Sequence, residues 1–144
     1  MTERKTTITM DGEEGDPIPV NTGLPQESPV SPVLFLLYIA DLGKKMESRY
    51  PGTTGLSFVD DVTWIEVGWT AKEVADKLKK RAKRTLEWAD KNAVQIEADK
   101  TEAIFFSRST RQRRKAKELA WPVGNNTCKF NQEATRWLGV YLDS

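Results

Sequence analysis

The chain has 144 residues, with 22 basic and 21 acidic side chains, a formal net charge of +1 and 38% hydrophobic residues. That suits one globular domain or part of one, and excludes a strong global field that would drive binding by itself. A single cysteine, Cys128, and no histidine exclude an internal disulfide framework and a structural zinc site, and suggest a reducing compartment.

Charge is unevenly spread: residues 1–67 carry 5 basic and 11 acidic side chains, and residues 68–144 carry 17 and 10. An acidic front and a basic back fit a metal site facing a polyanion, and solvated helix faces give the same count. No apolar run reaches the ~20 residues of a membrane span. The polar N-terminus has no signal-peptide core, so an intracellular protein, nuclear or cytoplasmic, is expected.

Thr6 to Met10 reads as a strand, followed by an acidic turn from Asp11 to Asp16. Pro17 and Pro19 hold the backbone extended. Beginning in a strand suggests a chain cut from something longer. Gly23 to Pro32 reads as a loop opening a helix. Either Ser28 caps it with Pro29 in the first turn, or Ser31 and Pro32 take those places. The helix is expected to run to about Met46. Its buried stripe is Val33, Leu34, Leu37, Tyr38 and Leu42, widened by Phe35, Leu36 and Ile39.

Pro51-Gly52 marks a turn. Leu56 to Val59 and Val62 to Val67 are strand-like runs that place Asp60 and Asp61 at the tip of a hairpin. Two adjacent carboxylates repel, and a hard cation with oxygen ligands relieves the repulsion. An ordinary Asp-Asp turn is the alternative.

Residues 70–91 read as an amphipathic helix, with Thr70 and Glu73 in a capping box. Its apolar positions are Val74, Leu78, Ala82, Leu86 and Ala89, with Trp88 at the edge. Lys72, Lys77, Lys79, Lys80, Arg81, Lys83 and Arg84 are expected on a solvated outer face. Asn92 ends the helix. Val94 to Glu97 and Glu102 to Ser107 read as strands. Arg108 to Lys117 is a basic run without an acid, a phosphate contact, an import signal or a solubilising loop. No aromatic residue lies inside it, so base stacking there is not supported. Thr127 to Asn131 and Arg136 to Leu142 read as two strands joined by a turn at Gln132 to Ala134.

Four blocks, in order, are Gly23-Leu24-Pro25-Gln26-Glu27-Ser28-Pro29, Phe58-Val59-Asp60-Asp61, Lys100-Thr101-Glu102 and Trp137-Leu138-Gly139. Together they resemble the palm of reverse transcriptases, in particular those of non-LTR (LINE-like) retrotransposons, over nearly the whole chain. The resemblance implies an α+β fold: an antiparallel palm sheet carrying Asp60 and Asp61, with helices 29–47 and 70–91 on one face, truncated at both ends. It divides the chain into a partial palm, 1–107, a basic linker, 108–126, and a C-terminal hairpin like the primer-grip block, 127–144.

The function implied is two-metal nucleotidyl transfer from deoxynucleoside triphosphates to a DNA primer on an RNA template. Asp60 and Asp61 would hold Mg2+ or Mn2+, Asp61 being the less strictly required. Gln26, Ser28 and Pro29 would lie against nucleotide and template, and Lys100 would protonate the departing pyrophosphate. Trp137, Leu138 and Gly139 would grip the primer end. Arg108, Arg111, Arg113, Arg114 and Lys115 would meet nucleic-acid phosphates.

The family's further metal-binding aspartate lies in a block before Gly23, and its fingers and thumb are normally in the same chain. The family also has glycine where this chain has Glu27. A negative charge about 4 Å from a phosphate costs roughly 1 kcal/mol in water and about 4 when partly buried. Inactivity of these residues alone is therefore expected. The alternative is a non-catalytic retrotransposon remnant that binds nucleic acid through its basic half.

Overall fold

A computed structural model of the protein describes residues 5–20, 23 and 28–143, an α+β arrangement of short hairpins and three helices. At the front, β1 (Lys5–Thr6) pairs antiparallel with β4 (Ile18–Pro19). Inside that pair, β2 (Thr9–Met10) meets β3 (Glu13–Glu14) across a turn at Asp11 and Gly12. The single strand expected from Thr6 to Met10 is thus broken at Thr7 and Ile8.

Helix α1 (Ser31–Arg49) begins at the second of the two expected starts, with Pro32 in its first turn and no side-chain cap. The Ser28 carbonyl instead accepts the Ser31 N–H at 3.1 Å. Of the expected stripe only Leu42 is buried; the buried side is Ile39, Leu42 and Met46, while Val33 is 55% and Leu37 70% exposed. The reason is where neighbours lie. Trp88, Ala89, Val62 and Trp64 pack against the second half of α1, and burial follows them.

β5 (Thr54–Phe58) and β6 (Asp61–Ile65) form the expected hairpin, with Phe58 opposite Asp61 as the last pair. Gly55 faces Trp64, and a Cβ on Gly55 would come within 2.6 Å of the indole. Glycine there lets the ring lie across the neighbouring strand. The indole N–H then donates to Thr85 Oγ1 at 3.0 Å.

Helix α2 (Ala71–Lys91) starts at Thr70, whose hydroxyl accepts the Glu73 N–H at 3.1 Å. It stops at Asn92, whose side-chain amide donates to the Trp88 carbonyl at 2.7 Å. One side of α2 serves two apolar clusters. Its front half packs with Ala116, Trp121, Val123, Cys128 and Phe130. Its back half joins α1 and the β5–β6 hairpin.

Beyond α2 the expected strands at 94–97 and 102–107 are absent among the described residues. A 3-10 turn, Ala98–Lys100, follows, and Ala103 makes only an isolated parallel bridge to Phe130. Residues 108–126, expected as a basic linker, contain regular structure. They hold α3 (Thr110–Ala116), capped by Ser109, and β7 (Ala120–Val123). β7 pairs with β8 (Asn126–Lys129) through Gly124, which has φ +59°. The C-terminal hairpin is shorter than expected: β9 (Thr135–Trp137) turns at Leu138 and Gly139 into β10 (Val140–Leu142). Of the strand expected at 127–131, residues 127–129 therefore pair backward with β7 and Phe130 bridges Ala103, rather than pairing forward with 136–142.

Where one antiparallel sheet was expected, the described residues form five two-stranded antiparallel ladders. Each strand of two to five residues pairs across a local connection, where loop closure costs least.

Arg81 corrects the expectation of a solvated outer face. Its guanidinium is buried and its Nε lies 2.5 Å from Glu66 Oε1, with side-chain exposures of 6% and 2%. Thr53 Oγ1 accepts from Arg81 Nε at 2.9 Å and donates to Glu66 Oε1 at 2.7 Å. The Tyr50 ring covers the guanidinium at 3.6 Å. Removing one half of a buried pair leaves an uncompensated charge and costs about 3–5 kcal/mol, much of a small domain's stability. Arg81→Ala should therefore abolish or sharply lower the cooperative thermal transition, and Arg81→Met with Glu66→Leu should restore it. A melt of Arg81→Ala superimposable on the parent would contradict the burial of this pair.

Candidate active site

The β5–β6 turn consists of Val59 and Asp60. Val59 has φ +53° and Asp60 does not share a positive φ, which matches a two-residue turn of the II′ kind. Such a turn follows the right-handed twist of the strands, and glycine normally occupies its first position. A β-branched valine there is strained, which is most often found where geometry serves a site. Asp60 sits in the turn and Asp61 opens β6, and both are exposed.

Carboxylate oxygens are the right donors for a hard cation such as Mg2+ or Mn2+. The donor set fits in kind and is short in number. Among the described residues, no group of three or more acidic, histidine or cysteine side chains could hold a metal ion.

The Trp137 block reaches this hairpin. Trp137 in β9 donates its indole N–H to Thr63 Oγ1 at 3.1 Å, two residues along β6 from Asp61. Leu138 and Gly139 form the turn beyond, with φ +47° and +83°. Lys100 is placed differently. It ion-pairs with Glu97, and no hydrogen bond or ion pair joins it to Asp60 or Asp61. The hydrogen bond to Glu97 raises the Lys100 pKa above its ordinary value. A proton held more firmly makes Lys100 a poorer acid in this arrangement. Gln26, with Glu27, lies outside the described residues. Ser28 is half-buried and Pro29 exposed before α1.

Arg108, Arg111, Arg113, Arg114 and Lys115 are exposed on or just before α3. That helix docks on α2 through Gln112, whose side-chain oxygen accepts the Ala71 N–H at 3.0 Å. Sequence reasoning missed Glu66, Thr53 and Tyr50 as partners of Arg81. A signal existed: Arg81 lies seven residues from both Val74 and Trp88, on the helix side that packs inward.

A model of the family described as reverse transcriptase (RNA-dependent DNA polymerase) matches residues 1–142. The probable RNA-directed DNA polymerase from transposon X-element of Drosophila melanogaster is 29% identical over 126 residues, covering 86% of this chain and 13% of that protein. The RNA-directed DNA polymerase from mobile element jockey of Drosophila funebris is 25% identical over 148 aligned positions, covering 97% of this chain and 15% of that protein. The chain thus spans about one-seventh of the length of the curated relatives it matches. No solved structure matches.

The turn strain is measurable. A left-handed φ costs a valine about 1–2 kcal/mol, and glycine's extra chain entropy gives back about 0.5–1. Val59→Gly should raise the melting temperature by a few degrees. A lower melting temperature would show that the turn does not strain Val59.

Proposed function

Because the chain belongs to the reverse transcriptase (RNA-dependent DNA polymerase) family, we propose that it forms part of the palm of a LINE-like retroelement polymerase. The β5–β6 tip is its metal-binding edge. The observation that carries this reading is the pair of adjacent exposed carboxylates on a tight turn, with the Trp137 hairpin hydrogen-bonded to the same strand.

In this reading Asp60 and Asp61 would hold Mg2+ or Mn2+ through their carboxylate oxygens, together with a further acid from outside this pair. The bound metal supplies positive charge against the phosphates and the attacking 3′-hydroxyl. The protein positions the groups: β6 fixes the two carboxylates, and Trp137, Leu138 and Gly139 steady the primer end. Gln26, Ser28 and Pro29 border the nucleotide and template. Lys100 donates a proton to pyrophosphate only if it leaves Glu97. Glu27 opposes nucleotide phosphates by charge repulsion.

A second reading, a non-catalytic remnant, is favoured by Glu27 in place of the family's glycine. One experiment separates the two. Residues 1–144 are substituted for the matching segment of the jockey-element polymerase, and primer extension on RNA is measured in Mg2+. Activity that rises with Glu27→Gly and falls about a hundredfold or more with Asp60→Asn supports the polymerase reading. Extension indifferent to Asp60→Asn contradicts it, and no extension with either residue at 27 supports the remnant. The 144 residues alone should give no extension, and robust Mg2+-dependent synthesis from them would overturn the donor-set reasoning.

A further inference from the structure

The two faces of the β5–β6 hairpin have different neighbours. Pairing is regular from Thr54–Ile65 to Phe58–Asp61, so side chains alternate strictly along β6. Val62 and Trp64 lie on the side that packs with α1 and α2. Asp61, Thr63 and Ile65 share the opposite face, with Phe58 and Leu56 directly across from Asp61 and Thr63. On that outer face Leu56, Phe58 and Ile65 are exposed.

Trp137 comes onto this outer face. Its indole N–H donates to Thr63 Oγ1 at 3.1 Å. Two extended residues span about 7 Å, so the anchor sits one pleat from Asp61, on the side to which Asp61 points. Trp137 pairs with Val140 to close the β9–β10 turn, so the bond holds the end of that hairpin where Leu138 and Gly139 lie. The far end of β9 is tied locally, Asn131 Nδ2 donating to Thr135 Oγ1 at 2.8 Å. Among the described residues, no side chain of β9 or β10 belongs to either apolar cluster. Core packing therefore does not fix where the turn stands against β6, and the Thr63 hydroxyl supplies the hold at the turn end. Threonine suits that task. Branching at Cβ restricts χ1 and keeps Oγ1 aimed in one direction. Valine has the same shape without the acceptor, and serine keeps the acceptor on a freer rotor.

We propose that Thr63 is a positioning residue that sets the place of the Trp137-Leu138-Gly139 turn relative to the Asp61 carboxylate. This role rests on the reading of the hairpin tip as the metal edge and of the turn as the part that steadies the primer end. Thr63 touches neither metal nor nucleotide in this role. It registers one working group against another, so its loss slows the chemical step and leaves nucleotide binding intact.

The test uses the jockey-element polymerase carrying residues 1–144 with Glu27→Gly, and measures single-nucleotide addition to a primer on RNA across nucleotide concentration. Thr63→Val should lower kcat roughly 10- to 100-fold at unchanged nucleotide KM, and Thr63→Ser should recover much of the loss. Trp137→Phe removes the same bond from the other side, so Thr63→Val combined with Trp137→Phe should be no slower than the slower single variant. In the 144-residue chain, the Trp137 indole N–H followed by NMR should shift and exchange faster with solvent in Thr63→Val but not in Thr63→Ser. The melting temperature should change little, because both side chains are half-buried and water replaces the lost partner. An unchanged kcat in Thr63→Val, a loss confined to KM, losses that multiply in the double variant, or an indole signal identical to the parent's would overturn the proposal. Asp60→Asn separates the two levels. If it abolishes extension while Thr63→Val does not slow it, only the positioning role fails. If extension is absent throughout or indifferent to Asp60→Asn, the polymerase reading fails and the positioning role fails with it.

Discussion

A buried guanidinium fixes the geometry on which everything else rests. Arg81 has its charge answered inside the fold by Glu66, its Nε shared with Thr53 and its face covered by Tyr50. Those four residues come from four places: the C-terminal cap of α1, the start of the β5–β6 hairpin, the residue after β6, and the middle of α2. A buried ion pair adds little net stability, since desolvation offsets attraction. It restricts which arrangements are possible, because any packing that separates Arg81 from Glu66 strands a charge in an apolar setting. The hairpin is thereby held at its base, at the opposite end from Asp60 and Asp61.

Two indole hydrogen bonds extend that constraint along β6. Trp64 reaches back to Thr85 on α2, and Trp137 reaches in from the C-terminal hairpin to Thr63. Successive strand residues point to opposite sides. The bonds at 63 and 64 therefore fix the strand from both faces, two and three residues from Asp61. The carboxylates are exposed, yet the strand carrying them is not free to rotate. Positioning of this kind is what nucleotidyl transfer asks of a protein whose charge stabilisation comes largely from bound cations.

How much of this the sequence disclosed depended on whether the signal was local. The β5–β6 hairpin and α2 were legible because strand-forming runs, an Asp-containing turn, a Thr70-Glu73 cap and a terminal Asn92 act within a few residues. The buried stripe of α1 was not, because Val33, Leu34, Phe35, Leu36, Leu37 and Ile39 make that helix apolar nearly all round. Periodicity then cannot choose a side; contact with Trp88 and the hairpin does. Glu102 to Ser107 has the composition of a strand but finds a partner only at Phe130, a long-range choice invisible to local pattern. In the candidate site, Trp137 reaches the strand that Asp61 opens, while Lys100 is ion-paired with Glu97. The basic run proved to be a docked helix because of Gln112, a polar residue inside a run of cations whose pairing across to Ala71 no composition rule reveals.

The central claim, that Asp60 and Asp61 form one edge of a divalent-metal site, is tested most directly by residue-resolved NMR of the chain during a substoichiometric Mn2+ titration. Paramagnetic broadening should begin at Val59, Asp60 and Asp61 and vanish when both aspartates are changed to asparagine. Broadening centred instead on the acidic turn from Asp11 to Asp16, or unchanged in the double variant, would contradict it.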